Sequence, residues 1–435
     1  MSFKTINIYV CILAICLLCS GVSSAAEWKS EPSLFLRGQY NDNVRMRTDE
    51  FKEGSTGFTL EPRVKFAGEE LQRWDMSIDT RAKITRFQDI EDGDSENLFF
   101  DFDGGRQTEL TDWRLGANYS KNTNFDTDFE TSNPDAGIGD RTERTSLSIT
   151  PSVLWSTSET SQIRFNLNST QVTYDEVTNR NYTDYDNNSL SFVAYWMLAE
   201  NHQLGFTSSY SEYDSPDANF SYDLAILQLD YTYNINPTSD LSFSLGGRRL
   251  DSLRTGVTVA CDAQGTTFAP TLGQCPDSVL IGPVTVPVTP VIEDISNQED
   301  GTIVNLSYTS KSETASHRFS GGRTVSPSSF GGAQEVRSAT YQFSIKNTER
   351  FITKLLLDGT ESSTVSGTAS SFLDDRTQYR IEPSLTYRLS KNWNLQFLYR
   401  YITRDYTNSI IDRDATSNAV YINLYLHWPK FVTTY

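Results

Sequence analysis

From residue 33 onward the chain alternates apolar and polar positions in runs long enough to be strands. Thr56 to Phe66 places Phe58, Leu60, Pro62, Val64 and Phe66 at one parity and Thr59, Glu61, Arg63 and Lys65 at the other. Successive strand side chains point to opposite faces, so this run has one apolar face and one wet face. The next run repeats the scheme, with Trp74, Met76, Ile78, Ala82 and Ile84 set against Asp75, Ser77, Asp79, Arg81 and Lys83. The last run, Ala419 to Trp428, sets Val420, Ile422, Leu424, Leu426 and Trp428 against Tyr421, Asn423, Tyr425 and His427. A strand of about ten residues crosses a bilayer when tilted. Its backbone edges cannot stay unpaired in lipid, so strands of this kind must close into a barrel.

Similar runs fall near Ser33 to Tyr40, 97–107, 112–120, 144–155, 161–173, 187–198, 203–210, 221–235 and 241–250. After an interruption they resume near 302–309, 314–320, 336–347, 350–360, 376–389, 393–404 and 418–428. They predict an all-β chain: a transmembrane antiparallel up-and-down β-barrel of about 18 strands, or about 16–20 if a pair is missed or split. Short turns alternate with longer loops, and an even strand count returns both ends to the short-turn side, which is periplasmic in outer-membrane barrels. A barrel this wide encloses an aqueous channel.

Tryptophan placement supports the membrane reading over a soluble sandwich. Trp74, Trp113 and Trp393 open runs that leave short turns, and Trp155, Trp196 and Trp428 close runs that return to them, with Trp28 ahead of the first run. Tryptophan favours the membrane–water boundary, and a sandwich gives no reason to sort it to one end. Tyr40, Tyr119, Tyr174, Tyr210 and Tyr401 gather toward the other ends, as a second girdle would.

Composition alone looks soluble, with mean hydropathy −0.45 and net charge −19 over 435 residues. Membrane barrels look the same because every second strand residue faces water. Residues 1–26 read as a signal peptide: Lys4, an apolar run from Ile6 to Leu18, and Ser24-Ala25-Ala26 before Glu27. Cys19 raises the alternative of a lipoprotein, but Leu18 stands before it where a small residue is wanted. Residues 27–435 form the barrel domain, secreted to the outer membrane of a Gram-negative cell. The expected surroundings are outer-membrane lipid and lipopolysaccharide; nucleic acid is not an expected partner.

By parity the inner wall carries Arg37, Arg63, Lys65, Arg81, Lys83, Arg114, Arg164, Arg248, Lys346, Lys354, Arg380, Arg388, Arg400 and Arg404. Against them stand Glu61, Asp75, Asp79, Asp101, Asp103, Asp230, Asp358 and Glu382. The outer loops are acidic instead, through Asp42, Asp49, Glu50, Glu53, Asp89, Glu91, Asp92, Asp94 and Glu96, then Asp126, Asp128, Glu130, Asp175, Glu176, Asp184 and Asp186. A basic wall in a low-dielectric tube concentrates anions, although cross-strand pairing will absorb part of the surplus. The acidic loops are solvated padding or bind divalent cations beside lipopolysaccharide phosphates.

Residues 251–301 interrupt the rhythm and read as one long extracellular loop. Cys261 and Cys275 lie within it and are expected to form a disulfide. Val279 to Ile292 is apolar and studded with Pro283, Pro287 and Pro290. A loop of this length is functional or disordered, and a lid over the pore is the expectation. No catalytic residue, cofactor or metal site is expected. His202 and His427 sit near the short-turn ends, and His317 is three residues from Ser320, which therefore points to the other face.

Glu31-Pro32-Ser33-Leu34, Tyr40-Asn41-Asp42-Asn43-Val44, Leu60-Glu61-Pro62 and above all Phe319 to Gly331, with its Pro327-Ser328 and Gly331, form a set of short stretches. They resemble those of the β-barrel porins encoded with exopolysaccharide gene clusters, including those linked to PEP-CTERM surface systems. The resemblance implies outer-membrane passage or assembly of surface polysaccharide; taken with the basic wall, the expected cargo is an anionic polysaccharide and the expected partners are periplasmic export components. From the residues alone, a general or nutrient-uptake porin and a non-conducting scaffold barrel stand beside it.

Overall fold

The computed structural model describes residues 27–70, 74–90, 93–123, 142–175, 182–263, 266–268, 275, 278–281, 284–328, 332–365, 375–406 and 414–434. The signal segment lies outside these residues, as do Glu91, Asp92, Asp126, Asp128, Glu130 and Glu176 of the acidic loops. Eighteen antiparallel strands close into one barrel. The first six are β1 (Glu27–Asn41), β2 (Ser55–Glu70), β3 (Trp74–Phe87), β4 (Ser95–Gln107), β5 (Thr111–Thr123) and β6 (Glu143–Ser156). Next come β7 (Ser161–Tyr174), β8 (Tyr185–Ala199), β9 (His202–Ser215), β10 (Phe220–Asn236), β11 (Ser239–Ala263) and β12 (Thr289–Lys311). The last six are β13 (Ala315–Ser328), β14 (Gly332–Lys346), β15 (Phe351–Thr364), β16 (Arg376–Arg388), β17 (Trp393–Tyr406) and β18 (Ala415–His427).

Each strand pairs with its sequence neighbours, and β1 closes the ring against β18 from Ser33↔His427 to Asn41↔Ala419. A short β19 (Phe431–Thr434) continues that seam along Glu27–Ser30. Closure satisfies the backbone groups that an edge would leave bare in lipid.

The outer surface carries the apolar parity. Phe58, Phe66, Leu98, Phe165, Leu229, Phe243, Ile381 and Ile422 are all exposed there. An apolar belt of this size on a water-soluble molecule would drive association; around a closed barrel it is the lipid-facing band. Trp113, Trp155, Trp196, Trp393 and Trp428 are exposed at its short-turn edge, and Trp74 packs against Trp28 with ring centroids 5.9 Å apart. Tyr40 and Tyr210 are exposed at the opposite edge. Tyr174 departs from the second girdle: it faces inward, where it stacks on Tyr182 at 5.1 Å.

The interruption at 251–301 is not one loop. β11 and β12 run on as a paired ribbon to Asp262↔Thr289, so only the segment between Ala263 and Thr289 joins them. The ribbon bends at Gly256, whose φ is 67°, and its register slips between Arg254 and Val257. Glycine takes that left-handed conformation without a Cβ clash. The strands escaped the periodicity because above the membrane both faces of the ribbon are polar, so Thr255, Asn297, Gln298 and Glu299 carry no alternating signal while the pairing persists. Within the tip, Ser278–Ile281 pairs with Val284–Pro287.

Candidate functional site

The strand registers carry the inward face continuously around the ring. Arg37 lies opposite Thr59 and Asn423, Arg63 opposite Arg81, and Arg248 opposite Ile226. The inward cations sort into two groups by whether they are held by partners.

The first group is tied to partners, and its members on β11, β16 and β17 are buried. Arg380 pairs with Asp358 at 3.6 Å, and Arg400 donates from Nε to Glu382 at 2.6 Å. Arg404 is almost fully buried, with Nη2 donating to Gln378 at 2.8 Å and Nη1 to Tyr406 Oη at 3.3 Å. Arg248 pairs with Glu299 and Glu335, each at 2.9 Å. On the β2–β5 wall, Arg63 pairs with Asp79, and Arg81 reaches Glu61 at 3.7 Å while lying over the Phe99 ring. Arg114 contacts Asp75 at 2.6 Å and Asp112 at 3.3 Å, and Lys83 is buried. These charges hold the wall together more than they present a field. A buried ion pair gains little over apolar packing, but removing one partner strands the other.

The second group has no ion pair among the described residues: Lys65, Arg164, Lys346 and Arg388, joined by Lys354 and by Arg318. Arg318, Lys346, Lys354, Arg164 and Arg388 are exposed, and all lie in the short-turn half of their strands. A cavity of about 600 Å³ links the two groups, lined by Arg37, Arg318, Arg380 and Arg400 with Asp358, Glu382, Gln342, Gln396, Asn423 and Tyr425.

The mouth at the other end is narrowed from an unexpected place. Pairing between β12 and β13 stops above Val304↔Arg323, while β13 and β14 stay paired to Ser328↔Gly332. The freed hairpin turns into the barrel. Val325 and Ala333 near its tip, with Val365 beside them, join Val172, Tyr185, Tyr213, Phe220, Tyr222, Leu224 and Leu250 in one buried cluster. Tyr213 Oη donates to the Ser328 carbonyl at 3.0 Å. β9 and β10 lie several strands from β13 and β14 in the ring, so these contacts are made across the interior.

Charge fixes the hairpin in place. Glu335 Oε2 accepts from Arg248 Nη2 at 2.9 Å and Arg323 Nη2 at 2.5 Å, and Oε1 accepts from Arg337 Nε at 3.1 Å. Glu335 is 6% exposed. Gly301 on β12 leaves room for Arg248, since a Cβ there would stand 2.7 Å from Nε. Parity assigns Arg323, Glu335 and Arg337 to the outer face, with Phe319 and Tyr341. Once the hairpin leaves the wall, that face turns against the inner surface of β10–β12. Alternation therefore misses these residues; the adjacent Gly321-Gly322 below the split is the sequence signal that bears on it.

A closed ring, an apolar belt and a charged, water-lined interior decide the class. The chain is a porin-like outer-membrane β-barrel. No family model matches it, and no curated protein matches it. Among solved structures it is similar to OpdK of Pseudomonas aeruginosa with vanillate, at 10% identity and TM-score 0.45 over 92% of this chain and 99% of that one. It is similar also to OccAB4 of Acinetobacter baumannii, at 9% identity and TM-score 0.44 over 94% and 99%. The ferric-catecholate import receptor Fiu of E. coli K12 gives 8% identity and TM-score 0.46 over 91% and 81%. At such values these barrels say nothing about what this one carries.

The remaining candidates fall away from the lumen. Cys261 and Cys275 are bonded, with Cα atoms 5.5 Å apart. His317 faces outward, hydrogen-bonded through Nδ1 to Tyr341 Oη at 2.9 Å, whereas Ser320 lines the cavity, so the two cannot act as a dyad. His202 Nδ1 meets Tyr231 Oη at 2.6 Å on the outer face. Among the described residues no three His, Cys, Asp or Glu side chains converge as metal ligands.

Proposed function

We propose that the barrel is a selective diffusion channel for small anionic solutes, most simply in nutrient uptake. The observation that carries this reading is the β13–β14 hairpin seated across the outer mouth. A polymer in transit would have to displace a buried apolar cluster and the Glu335 ion cluster together. A small solute needs far less clearance at the mouth than a polymer does. The cavity of about 600 Å³ falls within the ordinary range for small-molecule sites. Passage is passive and the barrel performs no catalytic step. Lipid and lipopolysaccharide surround it; periplasmic export components and an anionic polysaccharide belong to the export reading alone.

The test is the current of the refolded mature protein in a planar bilayer under a salt gradient, with acidic polysaccharide added in a second run. An anion-directed reversal potential, with polysaccharide neither passing nor blocking, is the expected result. Transfer of the polysaccharide would restore the export conduit. Silence under every condition would leave a scaffold barrel.

A further inference from the structure

The exposed cations of the short-turn half are unevenly distributed. Arg318, Lys346, Lys354 and Arg388 lie on four consecutive strands, β13 to β16, and all face the interior at its periplasmic opening. The register sets Gln342 opposite Arg318, Ile352 opposite Lys346, Ser344 and Ser384 opposite Lys354, and Asn394 opposite Arg388. The nearest inward carboxylate on these strands, Glu382, lies one step further up and accepts from Arg400 at 2.6 Å. In the turns below, Glu313 and Glu349 are outnumbered by Lys311, Arg350 and Lys391. The opposite rim is mixed: Lys65, Arg106, Arg114 and Arg164 stand there among Glu70, Asp75, Glu109, Asp112, Glu159, Glu200 and Asp240.

Like charges on neighbouring strands repel, and elsewhere in this lumen most arginines are given a carboxylate or an amide. Lys346 and Lys354 are diagonal neighbours, about 7–8 Å apart at the backbone. Their long side chains converge without strain on a ligand that bridges them. We infer that the inner wall of β13–β16 at the periplasmic opening is a binding site for a solute carrying at least two anionic groups, such as a di- or tricarboxylate. This rests on the channel reading and gives its solute a class. The lysines supply point charges, Arg388 and Arg318 supply planar donors for carboxylate oxygens, and Ser344, Ser384 and Gln342 supply neutral donors between them. Such a site retains a polyanion that has passed the outer constriction and holds it on the side where periplasmic uptake follows.

The probe is citrate, with acetate as the single-charge control, titrated calorimetrically into the detergent-solubilised, disulfide-intact barrel. Citrate should bind with clear preference over acetate. Lys346→Gln with Lys354→Gln should weaken it about tenfold or more, while Lys346→Arg with Lys354→Arg should retain it and shows that the barrel still folds. Equal weak binding of both anions, or citrate affinity indifferent to the glutamine pair, overturns the inference. Because the titration does not need current, a silent barrel that binds citrate would sink the channel and keep the site, and a conducting barrel that ignores citrate would do the reverse.

Discussion

Glu335 is the residue on which the outer mouth depends. Three guanidinium groups converge on its carboxylate, and the Arg248 side chain among them is 1% exposed. Glu335→Gln keeps the shape but leaves Arg248 buried with one carboxylate, Glu299, in place of two. Stranding a buried charge outright costs about 3–5 kcal/mol; with Glu299 retained the cost is smaller, and it loosens the hold on the hairpin. The expected outcome is a higher single-channel conductance with frequent closures, and a lower denaturation midpoint. An unchanged conductance would mean that the tip does not limit the current. Single residues also mark where the sequence could be read. Arg380, Arg400 and Arg404 declared their inward side by parity, but nothing in the chain declared that Asp358, Glu382 and Gln378 would engage them. Pairing across strands depends on register, and register is a property of two segments.

At the scale of elements, alternation located the strands wherever one face meets lipid. It faded where both faces meet water, as in the β11–β12 ribbon, and it pointed the wrong way where β13–β14 leaves the wall. Beside the disulfide loop, where a lid is expected, the β13–β14 hairpin also narrows the mouth. No described residue of the ribbon beyond Leu250 enters the buried cluster at the mouth, whereas Val325, Ala333 and Val365 do. Reducing Cys261–Cys275, or deleting 266–287, should leave the open-state conductance within experimental scatter. A rise in current on reduction would return the gate to the ribbon. The disulfide then serves the ribbon itself, by limiting the freedom of the connection between its strands in the unfolded chain.

At the scale of the whole molecule, the net charge of −19 misleads about the passage. Acid is concentrated in the outer loops, and the inward charge outside ion pairs is positive on balance, with Lys65, Arg164, Arg318, Lys346, Lys354 and Arg388 against Asp101 and Asp230. Screening decides how far that field reaches, with a Debye length of about 30 Å at 0.01 M salt and about 3 Å at 1 M. Anion preference should accordingly be strong in dilute salt and nearly lost at molar salt, read from the reversal potential at a fixed concentration ratio. Preference that ignores ionic strength would point to steric selection at the hairpin. The seam between β1 and β18 bears on how the barrel is made. Arg37 donates to Asn423 at 3.0 Å across 386 residues of chain, so the first strand waits for the last before either is complete. Contacts of such sequence separation form slowly, and until then both strands show open edges. Assembly must therefore keep the first strand from pairing with a neighbouring chain, which makes the time before closure, rather than the finished barrel, the hazardous stage of its life.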